Sequence, residues 1–171
     1  ISSSSISKRK MNDFSLELVK NKFLDNHKTA GYGYFNYGKI KNKNIGYIHL
    51  STFGSSAYGN GVDWANDIDK ILQELYNCDA IIIDLRNNGG GLKTTGAIIA
   101  SAFIDREITY FYQQEKIGPG HNDLGNPIPL TVYIRPDVLR FTKKIALLTN
   151  RMSPSILVLK TPTLELSTRS L

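Results

Sequence analysis

The residues of this chain that could do chemistry lie in two polar turns, each of which follows an apolar run. Residues 84–91 have the sequence DLRNNGGG and follow three consecutive isoleucines. Glycine has no side chain and tolerates positive φ, so backbone N–H groups in such a turn can approach an anion closely. The anion could be a phosphate, or the oxyanion that forms when an acyl group is attacked.

The second turn, residues 149–155, has the sequence TNRMSPS and follows the apolar run 145–148. Its last serine, Ser155, lies where a helix is expected to begin, because Pro154 suits a first helical turn. A serine there is either an N-cap or a nucleophile, and Ser153 is the local alternative for the second role. Phosphate binding by the glycines is the weaker alternative, since residues 84–91 lack both the Lys-Ser/Thr of a P-loop and GxGxxG spacing.

Taken in series, the two turns resemble the motifs of the S41 family of serine peptidases, the C-terminal-processing or tail-specific proteases. Those motifs are roughly DxRxNxGG and TNRxxxS. The resemblance covers residues 45–155 in order, including a strand similar to the family's first core strand at 45–53 and a similar loop at 118–123. It implies that Ser155 is the nucleophile and that the glycine loop forms part of the oxyanion hole. The candidate donors are the N–H groups of Gly89, Gly90 and Ile156.

The general base is not identified by the sequence. The best-known family members use a lysine further along the chain, and other branches use His and Glu. Lys160 is the nearest amine after Ser155, but five positions along a helix it would not point back at the serine. His121 could have a substrate or base role, since an unperturbed histidine titrates near neutrality; a surface loop histidine is the plainer interpretation. Residues 156–171 depart from the family pattern, which we interpret as truncation or a shifted frame after Ser155.

Charge and composition limit the classes of partner. Residues 1–43 carry nine Lys/Arg and three Asp/Glu, a net of +6, and residues 44–171 carry twelve of each. We therefore predict a basic, Ser-rich leader and linker over 1–43, a neutral catalytic core over 44–171, and no nucleic-acid partner. No apolar run is long enough to span a bilayer, and Cys78 is expected to be a buried apolar residue. No Cys/His cluster has metal-ligand spacing, so we predict neither metal nor cofactor.

Hydrophobic periodicity predicts an α/β order around the two turns. One buried helical stripe is indicated by the spacing of Trp64, Ile68, Ile71, Leu72 and Leu75. A second helix is predicted at 94–103 and a short one at 13–24. Strands are predicted at 45–50, 80–85, 108–112 and 141–148, an extended segment or hairpin at 31–38, and a loop at 118–129. This order indicates a parallel crossover, and the resemblance implies part of a crotonase-like or ClpP-like spiral of ββα units.

These observations together predict a serine endopeptidase that cleaves unfolded or C-terminal peptide segments through an acyl-enzyme on Ser155. The alternative is a catalytically incomplete peptide-binding module of the same fold. The expected partner is a peptide or unfolded protein, and the oligomeric state is left open. The resemblance implies an extracytoplasmic location, in the cell envelope, periplasm or outside the cell. Since no signal-peptide pattern follows Ile1, we expect a mature or trimmed chain.

Overall fold

The computed structural model of the chain describes residues 14–54, 62–153 and 164–166. Ser155 and Ile156 lie outside these residues. The helices are α1 (Leu16–Phe23), α2 (Val62–Leu75) and α3 (Lys93–Ser101), with a short 3₁₀ helix at Gly31–Gly33. The strands are β1 (Leu24–Ala30), β2 (Phe35–Ile40), β3 (Ile45–Leu50), β4 (Ala80–Asp84), β5 (Ile108–Gln113), β6 (Ile128–Val132), β7 (Lys144–Leu148) and β8 (Leu164–Leu166).

The described strands form one mixed six-stranded sheet and one hairpin. The sheet has the order β1-β2-β3-β4-β7-β8, and β5 pairs with β6 in the hairpin. β2 is antiparallel to both of its neighbours, β1 and β3, whereas β3, β4, β7 and β8 are parallel neighbours. Helix α2 connects β3 to β4, and α3 with the hairpin connects β4 to β7. The predicted α/β class is therefore confirmed, and the carboxyl ends of β4 and β7 lie side by side.

The core lies between α2 and one face of the sheet. The predicted helical stripe of α2 is confirmed, because its five apolar residues are all buried in one cluster. They pack with Phe35, Ile48 and Ile81 from three adjacent strands. Burying each such side chain stabilises the fold by roughly 1.5–3 kcal/mol. Cys78 is also fully buried, as expected, and burial raises the pKa of its thiol.

Two segments differ from the prediction. Residues 24–40 fall in the predicted leader and linker but form β1 and β2 of the main sheet, and the extended segment or hairpin predicted at 31–38 overlaps β2. β1 shows no hydrophobic alternation because only Leu24 is buried in it and Asn26 sits at a bulge with φ 48. The predicted loop at 118–129 overlaps the start of β6, where Pro129 pairs with Tyr112. Proline is tolerated there because β6 belongs to a two-stranded hairpin with open edges.

No helix among residues 14–54, 62–153 and 164–166 has the length and hydropathy needed to cross a membrane.

Candidate active site

The two polar turns meet at one edge of the main sheet. β4 and β7 are parallel, with Asp84 in register with Leu148, and the Leu85 N–H extends the pairing by donating to Leu148 O at 2.8 Å. The glycine turn, which we define as residues 87–91, and the asparagine turn, residues 149–153, therefore begin next to each other. The alternation of apolar strand and polar turn in the sequence is what brings them together.

The side chain of Asn150 bridges the two turns. Its Oδ1 accepts the Asn87 N–H at 3.1 Å, and its Nδ2 donates to Asn87 Oδ1 at 2.8 Å. Within its own turn the same Oδ1 accepts the Met152 N–H at 3.1 Å. Asn87 has φ 60, a left-handed conformation that asparagine tolerates better than most residues. One carboxamide thus fixes the asparagine turn internally and attaches it to the glycine turn.

Ser153, the alternative nucleophile, has a structural role in the asparagine turn. Its side chain is only 6% exposed, and its hydroxyl donates to Leu85 O at 2.5 Å. Its Oγ also lies 3.1 Å from Asn150 Oδ1, and its N–H donates to Asn150 O at 3.0 Å. A buried hydroxyl with these partners anchors the turn to the sheet and is poorly placed to attack a substrate.

Asn88 holds the glycine turn to the end of β3. It is 1% exposed, its Nδ2 donates to Leu50 O at 2.9 Å, and its Oδ1 accepts the Gly90 N–H at 2.8 Å. The Gly90 N–H, a predicted oxyanion donor, therefore has a side-chain partner in this structure. The Gly89 N–H makes a longer contact of 3.4 Å with Ser51 O. Of the two predicted donors, Gly89 is the more exposed and the less firmly bonded.

Residues 51–54 run beside the glycine turn and pair with it. Phe53 forms a parallel bridge with Gly91, in which the Phe53 N–H donates to Gly90 O at 2.8 Å and the Leu92 N–H donates to Phe53 O at 3.2 Å. The Thr52 hydroxyl also donates to Gly90 O, at 2.9 Å. In a bridge of this pattern the N–H of Gly91 itself points away from residues 51–54. The turn is thus fixed along residues 51–54, and the Gly91 N–H points away from that segment.

A buried ion pair lies beneath the glycine turn. Asp84 is fully buried and accepts hydrogen bonds from Arg86 Nε at 2.9 Å and Arg86 Nη2 at 2.5 Å. The Tyr47 hydroxyl donates to Asp84 Oδ2 at 2.7 Å. Asp84 and Arg86 therefore form an ion pair at the start of the loop. Burial, together with the adjacent Asp84 charge, raises the pKa of Tyr47, and the bond to Asp84 raises the pKa of Arg86.

The described histidines differ in environment. His49 is 3% exposed, as expected of a packed residue, and its ring stacks on Phe14 with centroids 5.1 Å apart. Its Nε2 lies 3.2 Å from Arg86 O, and burial lowers its pKa, so the ring is neutral at pH 7. His121 is exposed in a loop where Asp123 Oδ2 accepts the Gly120 N–H at 2.7 Å. Its predicted role in substrate binding or base catalysis remains a prediction.

Sequence reasoning did not identify the side chains that organise the two turns. Asn88, Asn150 and Thr52 supply these contacts, yet the sequence analysis assigned no role to any of them. The available indication was local: asparagine and threonine side chains next to glycine commonly hydrogen-bond nearby backbone in turns. That rule predicts the Asn88–Gly90 contact, two residues apart, but not the contacts that cross the sheet.

Comparison with known sequences finds similarity to one family of peptidases. Residues 44–156 match the model of Peptidase family S41. Over 105 residues, 57% of this chain and 24% of the relative, the sequence is 32% identical to a carboxyl-terminal-processing protease of Picosynechococcus sp.. Over 75 residues, 43% of this chain and 13% of the relative, it is 33% identical to the chloroplastic carboxyl-terminal-processing peptidase 3 of Arabidopsis thaliana. The chain spans about a quarter or less of the length of these two relatives.

Solved structures show the same fold. The crystal structure of a candidate peptidase from Parabacteroides merdae matches with a TM-score of 0.74 and 31% identity, covering 90% of this chain and 48% of that one. Mature CPAF matches with a TM-score of 0.59 and 16% identity, covering 89% of this chain and 43% of that one. At that identity the CPAF match shows a shared fold only.

Proposed function

This chain belongs to peptidase family S41, and from that premise we propose that it is the catalytic core of a serine endopeptidase acting through an acyl-enzyme on Ser155. Its substrates would be unfolded or C-terminal peptide segments. The observation that supports the proposal most is the pair of hydrogen bonds between Asn150 and Asn87, since they join the two motif-bearing turns. The mixed α/β fold is also compatible with part of a crotonase-like or ClpP-like spiral of ββα units.

Covalent geometry limits where the proposed nucleophile can lie. Ser153 is fixed to the sheet edge by its bond to Leu85 O, and Ser155 follows it by two residues. Two residues extend a chain by at most about 7 Å, so the proposal needs no long connection between the anchor at Ser153 and the nucleophile. Attack by its Oγ on a peptide carbonyl would form the acyl-enzyme and release the amine product. Water would then hydrolyse the ester.

The oxyanion hole would combine the N–H of Ile156 with one from the glycine turn. Gly89 is favoured as the second donor, because its N–H makes only a long contact of 3.4 Å with Ser51 O. Gly90 could donate only if its N–H left Asn88 Oδ1, to which it is bonded at 2.8 Å. Such a donor is worth roughly 3 kcal/mol of transition-state stabilisation in other acyl-transfer enzymes. The general base is unassigned, and His121 is kept as a candidate.

The peptide would add as an extended strand on the side of the glycine turn to which the Gly91 N–H points. Backbone hydrogen bonds would then bind any unfolded segment, which suits a protease acting on tails. The carboxyl-terminal-processing names of two relatives motivate this substrate class. We extend the proposal to an extracytoplasmic location, which a fractionation experiment with the native protein would test.

The test is covalent labelling of the 171-residue chain with a fluorophosphonate, followed by peptide mapping and a turnover assay on an unfolded protein. We expect the label on Ser155, and we expect Ser155→Ala to abolish both labelling and turnover. Ser15→Ala, which removes a helix N-cap hydroxyl far along the chain, is the control and should retain both. A label on Ser153 would disprove the nucleophile assignment. Peptide binding with neither label nor turnover would support the peptide-binding module.

A further inference from the structure

The contact between Asn150 and Asn87 connects two segments that are 63 residues apart in the sequence. Each residue gives and receives one hydrogen bond: Asn150 Nδ2 donates to Asn87 Oδ1 at 2.8 Å, and the Asn87 N–H donates to Asn150 Oδ1 at 3.1 Å. Both distances are those of ordinary N–H···O hydrogen bonds. The arrangement requires a side chain that is both donor and acceptor, and a carboxamide supplies the two roles from separate atoms of one planar group.

The same Asn150 oxygen organises the turn that leads to Ser155. It accepts the Met152 N–H at 3.1 Å, and Ser153 Oγ lies 3.1 Å away. The single hydroxyl proton of Ser153 goes to Leu85 O, since that oxygen is closer, at 2.5 Å. Residues 150–153 are therefore attached to β4 through Ser153 and to the glycine turn through Asn150. The chain enters Ser155 from a segment held at two points.

We infer that Asn150 is a positioning residue for acyl transfer, acting with Asn87 to set the distance between Ser155 and the N–H donors of the glycine turn. The inference rests on the proposed function of Ser155. Asn150 would contact neither the substrate nor the reacting atoms. Its effect would come from holding the two turns at a fixed distance from each other, because a misplacement of about 1 Å at a reacting centre can cost about 100-fold in rate.

The experiment first replaces the amide nitrogen of Asn150, which is the hydrogen-bond donor, by a carboxylate oxygen. It then removes the acceptor, which is the side chain of Asn87. Asn150→Asp keeps the acceptor oxygen for the Asn87 and Met152 N–H groups, but sets a carboxylate oxygen against Asn87 Oδ1. Asn87→Gly removes that oxygen and suits φ 60. Asn42→Gly is the matched control, because Asn42 is also exposed and has φ 58, but lies in the turn between β2 and β3.

We expect Asn150→Asp to slow fluorophosphonate labelling of Ser155 by about 10- to 100-fold, and to lower kcat while KM changes less than about twofold. In the Asn87→Gly background, Asn150→Asp should cost less than about threefold, because the repelling oxygen is gone. Asn42→Gly should label at the wild-type rate.

Three results separate the outcomes. Wild-type chain that is not labelled at Ser155 would overturn the proposed function, and this inference with it. Labelling of wild type and Asn150→Asp at equal rates would overturn only the positioning role. A slow Asn150→Asp whose loss persists undiminished in the Asn87→Gly background would also overturn it, because the effect would then come from the charge alone.

Discussion

Replacing Gly91 by alanine tests whether the glycine turn must pack backbone against backbone. Gly91 has φ 147, in a region that L side chains rarely adopt. A Cβ built on it would overlap Gly54 N and Phe53 C, and would lie 2.8 Å from Gly54 Cα. These neighbours are main-chain atoms of the paired segment 51–54, so they cannot rotate away as a side chain would.

The expected loss of unfolding free energy is the sum of the backbone strain at position 91 and the hydrogen bonds that are broken. The backbone strain of a non-glycine residue at this φ is about 1–3 kcal/mol. Relieving the overlap requires opening the bridge, which loses the Phe53 to Gly90 and Leu92 to Phe53 hydrogen bonds, each worth about 1 kcal/mol. The sum is at least about 3 kcal/mol of unfolding free energy. For a chain of this size that corresponds to a Tm lower by about 6–12 °C.

Thermal unfolding followed by circular dichroism measures the change, with Gly89→Ala as the matched control. Gly89 belongs to the same turn, yet a Cβ on it would meet no atom within 4 Å. We expect Gly89→Ala to leave Tm unchanged or to raise it slightly, because alanine restricts the unfolded chain. Equal Tm values for Gly91→Ala and Gly89→Ala would refute the packing argument, since the strain and the overlap are confined to Gly91.

Two further predictions concern the groups beneath the turn. Asp84→Asn should lower the unfolding free energy by about 3 kcal/mol in urea titrations, because it leaves the Arg86 charge without its buried anion. Asp69→Asn, which breaks the pair with Arg135, should cost less, because the Asp69 side chain is 21% exposed whereas that of Asp84 is 0% exposed. Burial lowers the pKa of His49, so the unfolded chain binds more protons and stability falls as pH drops below the unfolded pKa of about 6.5. His49→Phe should lose less stability than wild type between pH 7.5 and 5.5, and equal losses would contradict this.

The elements that the sequence predicted correctly are those whose burial pattern is strong and local. α2 buries a full stripe, and β4 is a short apolar run between two parallel neighbours, so periodicity and composition both indicate them. β1 could not be predicted in this way. Its residues are mostly exposed, and the strand exists because it pairs with β2. Pairing energy of that kind depends on a partner strand rather than on the segment's own sequence.

The same limit applies to the candidate site. The amino-acid types predict the positions of both turns, because glycine and asparagine are typical of turns and the apolar runs before them are typical of strands. The bond from Asn88 Nδ2 to Leu50 O spans 38 residues, and the Asn150–Asn87 pair spans 63. Both depend on which strands lie next to each other and in which register. The order β3-β4-β7 had to be known before those partners could be named.

The chemistry of the joining contacts is consistent with stabilisation of a negative charge at the glycine turn. Asn150 and Asn87 are neutral, as is the Asn88 carboxamide, so none of these contacts places an anion beside the proposed oxyanion donors. The carboxylate of Asp84, three residues before the turn, is neutralised by Arg86 through two side-chain nitrogens. These groups therefore place no unpaired negative charge beside the backbone N–H groups of the glycine turn. A carboxylate at position 150 would disturb both the spacing of the turns and this balance, and the Asn87→Gly background separates the two effects, because it removes the Asn87 oxygen that the carboxylate would repel but leaves the charge.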